Sequence, residues 1–149
     1  MKRLVLSLNF RTNNMENSVK YSVQFYQNLG KLFYAIAAAD KKVRDEEYNR
    51  LKEIVRTDWL TIDDLDDDLQ TDAAHQIEVV FDWLNVEEKL DATTWFDEFI
   101  HFRKEHPQLF NKPINDLILK TAHSIAASFS GKNKSELIML ARLGIHLKE

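Results

Sequence analysis

The chain has 149 residues, 44% hydrophobic and 11% aromatic, which is enough for one domain with a real core. Three Gly and two Pro are too few for the frequent turns of a sandwich or barrel. Cys is absent, which excludes disulfides, thiolate metal sites and a Cys nucleophile, and the net charge of −4 argues against a general nucleic-acid binder.

That charge is unevenly spread. Residues 1–57 carry 11 basic and 6 acidic groups, a net of +5. Residues 58–100 carry 1 basic and 14 acidic groups, a net of −13, and residues 101–149 carry 8 and 4, a net of +4. The acidic middle is a block whose field attracts cations or a basic partner.

The N-terminus opens with an apolar stretch, Leu4-Val5-Leu6-Ser7-Leu8, that stops at Asn9 without a small-residue cleavage site. Residues 1–16 therefore read as an extension, disordered or a short strand, and 17–149 as one helical domain. The longest near-apolar run, Leu32 to Ala39, is far short of the ~20 residues of a membrane span, so the expected location is the cytoplasm.

Helical spacing governs the rest. A first helix is predicted from Ser18 to Ala39, apolar nearly all round in its last two turns, which marks the central helix of a bundle. Gly30 inside it marks a close helix contact, since it otherwise costs ~1 kcal/mol against Ala. A second helix is predicted over Arg44–Trp59, with Tyr48, Leu51, Ile54 and Val55 inward. An acidic connection, Asp63-Asp64-Leu65-Asp66-Asp67-Asp68, leads to a third helix from Thr71 or Asp72 that buries Ala73, Ile77, Val80, Phe81 and Leu84. A fourth covers Ala92–Glu105, with Trp95, Phe96, Phe99 and Ile100 inward. The fifth begins at Pro113, whose missing N–H is unneeded in a first turn, and buries Ile114, Leu117, Ile118, Ile125 and Phe129. A sixth runs from Lys134 with Leu137, Leu140, Ala141 and Leu147 inward. The fold class is all-α, a single bundle of six to seven helices.

Chemistry-bearing spacings are few. His75, Glu78 and Asp82 share a helical face, and Glu98 and His101 form one Glu-x-x-His. A di-iron bundle needs a second such motif, which is lacking. No Gly-rich phosphate loop and no Gly-x-Ser-x-Gly elbow occur. The Asp63–Asp68 run lacks the glycine and closing Glu of a calcium loop, leaving a solvated connector or a docking strip for a basic partner, with Asp63, Asp64, Asp66, Asp67 and Asp68 as its residues.

The junction Ala37-Ala38-Ala39-Asp40-Lys41-Lys42-Val43-Arg44-Asp45-Glu46-Glu47 has a small-residue helix ending at an acid, an apolar pin and an acidic helix start. This pattern resembles the TerB-like family, the tellurite-resistance fold also found in some membrane-anchored J-domain co-chaperones. Asp40, Val43 and Glu47 stand at the family's positions, although Lys41 replaces its Gly. The resemblance implies an internal helix-hairpin repeat, whose second copy, Ile125 to Leu137, has Ser130 in the Asp40 place. It also implies a divalent-cation site, Ca²⁺ or Mg²⁺, on Asp40 and Glu47. The function expected is a stress-response module that binds a protein partner or a divalent cation through its acidic surface, and not an enzyme. A small metal-dependent enzyme using Asp40 and Glu47 is the alternative.

Overall fold

A computed structural model describes residues 23–39, 43–59, 67–86, 92–128 and 134–148, with side chains from residue 74 in the third stretch. Their secondary structure is helical throughout: α1 over 23–37, α2 (Asp45–Trp59), α3 (Asp67–Val86), α4 (Ala92–Glu105), a 3-10 turn (Pro107–Leu109), α5 (Lys112–Ser128) and α6 (Lys134–Lys148). The alternation of Leu4, Leu6 and Leu8 lies outside the described residues.

α1 is the centre of the bundle. Leu32, Phe33, Ala35, Ile36 and Ala37 are fully buried and Tyr34 between them is buried, so no side of this stretch faces solvent. Its neighbours can be read from its side chains. Phe33 meets Trp59 of α2 at 6.0 Å between ring centroids. The Tyr34 hydroxyl donates to Asn85 Oδ1 of α3 at 2.9 Å. Lys31 pairs with Glu98 of α4 at 3.0 Å, and Phe25 stacks edge-on with Phe110 beyond the 3-10 turn. At Gly30 a Cβ would stand 2.9 Å from Val80 Cβ and 3.1 Å from the Ile77 carbonyl oxygen. The glycine is thus a point of close α1–α3 approach, as its place in an apolar helix predicts.

The outer helices form a row in which α2 lies between α3 and α5, and α5 lies between α2 and α6. The α2–α5 contact carries a buried polar chain. Trp59 Nε1–H donates to Thr121 Oγ1 at 3.0 Å, and the Thr121 hydroxyl has Asp58 Oδ2 at 3.0 Å and the Leu117 carbonyl at 2.9 Å as acceptors. α4 joins the two ends of the row. Its Trp95 packs edge-on against Trp83 of α3, and its Asp97 binds Arg142 of α6 at 3.3 Å.

Three helix details differ from the sequence expectation. α3 begins at Asp67, so Asp67 and Asp68 belong to its first turn and not to a connector. Acids are favoured there by the helix dipole, a signal that apolar periodicity, which starts only at Ala73, does not carry. α5 begins at Lys112, because Asn111 is its N-cap: the Asn111 side-chain oxygen accepts from the Ile114 N–H at 2.9 Å. On α6 the inward residues are Glu136, Met139, Leu140, Leu143 and Leu147, while Leu137 and Ala141 face out. Apolar residues occur on almost every side of α6, so spacing does not select the buried face. The burial of Ala73 and Phe129 lies outside the described side chains.

Candidate functional site

The acidic residues singled out by sequence are placed as follows. Asp40, Asp63, Asp64, Asp66 and Ser130 lie outside the described residues. Asp67 and Asp68 occupy the first turn of α3. Glu47 is the third residue of α2, and its carboxylate has a use in the helix end. Arg44 is the N-cap, its carbonyl accepting from the Tyr48 N–H at 2.8 Å. Glu47 Oε1 reaches back to accept from the Arg44 N–H at 3.1 Å, which is the return half of a capping box. Among the described residues no group of three His, Asp or Glu side chains could hold a metal ion.

The face shared by Glu78 and Asp82 packs against the basic face of α2. Arg56 Nε stands 2.7 Å from Glu78 Oε1, and Lys52 Nζ 3.3 Å from Asp82 Oδ1. The Tyr48 hydroxyl donates to the same Asp82 oxygen, with Lys52 over its ring at 4.6 Å. The Tyr48 bond, with help from Lys52, lowers the Asp82 pKa. Burial, together with the Asp82 hydrogen bond and charge, raises that of Tyr48. These charges answer one another, and the cluster works as an interhelical clasp. The Glu98–His101 motif is similarly occupied: Glu98 pairs with Lys31, and His101 Nε2 with Glu105 Oε1 at 2.5 Å.

Among the described side chains of α3, three large apolar ones are exposed. Val79, Trp83 and Val86 are exposed by 46%, 51% and 81%, and their i, i+4, i+7 spacing makes them one stripe on the outer face. Asp72 and Asp68 stand seven and eleven positions before Val79 in the same helix. Sequence reasoning assigned Ile77, Val80, Phe81 and Leu84 to the core correctly and overlooked this second stripe. The signal was available, because Trp83 has no place on the Ile77–Phe81–Leu84 face.

A second apolar surface lies between α5 and α6. It is a groove of about 650 Å³ lined by Ala126, Ala127, Leu137, Leu140, Ala141 and Ile145. A Cβ on Gly144 would meet nothing within 4 Å. Lys148 and His123 line the groove, and Glu136 among its lining residues is buried. No helix among the described residues is long and apolar enough to cross a membrane. No protein-family model, no curated protein and no solved structure matches the chain.

Proposed function

We propose that this chain is a TerB-like interaction module of the cytoplasm, acting in stress response by docking a protein partner on the outer face of α3. The observation that carries the reading is the Val79–Trp83–Val86 stripe standing in a segment of net charge −13. Apolar side chains aligned on an exposed helix face cost hydration free energy that a partner removes, and the flanking acids select a basic one. The kinship with TerB-like proteins and the stress-response role rest on the Ala37–Glu47 pattern alone. The resemblance also implies a divalent cation on Asp40 and Glu47; Asp40 lies outside the described residues, and Glu47 Oε1 accepts from the Arg44 N–H.

The fitting partner is a basic amphipathic segment, its apolar residues on Val79, Trp83 and Val86 and its cations over the acidic turns. The test uses a fluorescent, helical Lys/Leu peptide as the probe and reads its anisotropy. Binding is expected to weaken about tenfold in the doubly substituted Val79→Ser/Val86→Ser protein, whose changes are solvent-facing and leave the fold intact. A Lys/Ser peptide of equal charge is expected to bind far less. Equal binding of both peptides, or of both proteins, overturns the reading.

A further inference from the structure

The α2–α5 contact holds a buried charge that its neighbours compensate only in part. Asp58 is the penultimate residue of α2, and its side chain is 9% exposed. A helix C-terminus is the negative end of the dipole, so a carboxylate there calls for a cation. The Thr121 hydroxyl has a single proton, and two acceptors compete for it: Asp58 Oδ2 at 3.0 Å and the Leu117 carbonyl at 2.9 Å. Lys120 Nζ stands 3.8 Å from Asp58 Oδ1, beyond hydrogen-bond length, on a side chain 69% exposed. A pair so long and so wet contributes little. Asp58 Oδ1 therefore keeps acceptor capacity that these contacts do not use.

Asp58 also lines a polar cleft of about 440 Å³ between the two helices. Thr121, Ser124 and Ser128 stand at i, i+3 and i+7 of α5, so their hydroxyls form a ladder along one face of that helix. Thr121 is committed to the buried polar chain, whereas Ser124 and Ser128 line the cleft, and neither has a hydrogen-bond partner among the described residues. Ile54 and Ala127 supply an apolar wall between them. The other polar lining groups are engaged: the Thr57 hydroxyl donates to the Glu53 carbonyl at 2.9 Å, and the Glu53 carboxylate pairs with Arg50 at 3.7 Å. With Arg50 and Glu53 cancelling, the lining keeps the single negative charge of Asp58.

We propose that this cleft binds a small amino alcohol, its primary ammonium on Asp58 Oδ1 and its hydroxyls on Ser124 and Ser128. A monocation neutralises the one uncompensated charge, and an ammonium brings three donors to an oxygen that has room for them. The hydroxyls of such a ligand match two serine hydroxyls that can each donate and accept. A hard divalent metal fits badly, because it takes six or more oxygens and the cleft offers one uncommitted carboxylate. A neutral polyol leaves the charge where it was.

The experiment follows backbone amide shifts of the full chain by NMR during titration with 2-amino-1,3-propanediol. The native chain is expected to show saturable shifts at Asp58, Ser124 and Ser128. Glycerol, of the same shape with a hydroxyl in place of the ammonium, is expected to bind at least about tenfold more weakly, the loss of one charge-assisted hydrogen bond. Isopropylamine, which lacks the hydroxyls, is expected to bind severalfold more weakly. Asp58→Asn keeps an acceptor for Thr121 and removes the charge, and is expected to lose at least about tenfold in affinity with unchanged helical circular dichroism. Should that variant unfold, Ser124→Val decides, since it fills the cleft and leaves Asp58 in place. Lys120→Met is expected to tighten binding by about two- to fivefold, because it removes the ammonium that competes for Oδ1. The Val79→Ser/Val86→Ser protein is expected to bind the amino alcohol like the native chain, which keeps this site separable from the α3 face. No saturable shift in the native chain overturns the inference. So does glycerol or isopropylamine binding as tightly as the amino alcohol, native-like binding in Asp58→Asn or Ser124→Val, or weaker binding in Lys120→Met.

Discussion

A single methyl group decides the α1–α3 distance. In an exposed helix Gly→Ala adds up to ~1 kcal/mol of stability through helix propensity. At Gly30 the added carbon would lie 2.9 Å from Val80 Cβ and 3.1 Å from a backbone oxygen, neither of which is the loose end of a flexible chain. Gly30→Ala is expected to destabilise the protein by about 1–3 kcal/mol, the usual cost of overpacking, with urea unfolding as the measure. Gly144→Ala, on an open helix face, is expected to change stability by no more than about +1 kcal/mol, in the stabilising direction. Removing bulk has the opposite geometry and the same sign as Gly30→Ala. Phe33 is fully buried against Trp59, so Phe33→Ala leaves a cavity and is expected to cost about 3–5 kcal/mol. Thr121→Val keeps the volume but leaves the buried Trp59 N–H without its acceptor, a loss of about 1–3 kcal/mol in the same assay.

Between elements, the α2–α3 clasp gives stability a pH dependence at both ends. Asp82 has a lowered pKa in the folded chain, because the Tyr48 hydroxyl and Lys52 favour its ionised form. Its contribution is present above the unfolded carboxylate value near 4 and is lost as pH falls through the lower folded value. Asp82→Asn is expected to flatten the acid side of the stability profile. The exposure of this carboxylate to solvent keeps the effect small. The tyrosines act at the other end. Burial pushes Tyr26 up to about 12, and burial together with Asp82 raises Tyr48 further. Both stay protonated in the folded chain while the unfolded chain ionises, so their contribution is full below about pH 10 and is lost as pH rises above it. Urea midpoints above and below that pH are expected to differ less in Tyr26→Phe/Tyr48→Phe than in the native chain. An unchanged alkaline loss in the variant would count against this assignment. At the start of α2, Glu47→Gln keeps an acceptor for the Arg44 N–H and Glu47→Ala does not. Only the alanine variant is expected to lose about 0.5–2 kcal/mol.

For the whole molecule, the full burial of the α1 centre ranks the helices by protection. Amide exchange is expected to be slowest over residues 32–37, which solvent reaches only through global unfolding, and faster along α6, whose outer half is wet. The three tryptophans divide in the same way. Trp59 and Trp95 are buried, and Trp83 is half-exposed on the stripe. Acrylamide is therefore expected to quench the Trp83 contribution first, and Trp83→Phe to shift the emission to the blue. A red shift in that variant would mean that Trp83 is the sheltered ring and would remove the docking face.

The class of the fold was legible from residues alone, since periodicity at 3.6 and scarcity of Gly and Pro permit little else. The bounds of α4 and the central place of Leu32–Ala37 were legible because those stretches have an unambiguous face or none at all. The candidate site was legible only in part. Local sequence names Glu47 as an acid at a helix start, and the Arg44 N–H within reach of its Oε1 shows it as the cap. Asp82 was visible as one of three polar residues on a face, and the packing of α2 supplied the Lys52 and Tyr48 that occupy it. Which apolar residues remain uncovered was a tertiary decision. α3 and α6 each carry more apolar surface than one bundle face can bury, so the packing of their neighbours left Trp83 and Ile145 outside. Spacing along a chain shows which side chains share a helix face, but covering that face takes a neighbour brought from elsewhere in the sequence, and only the fold supplies it.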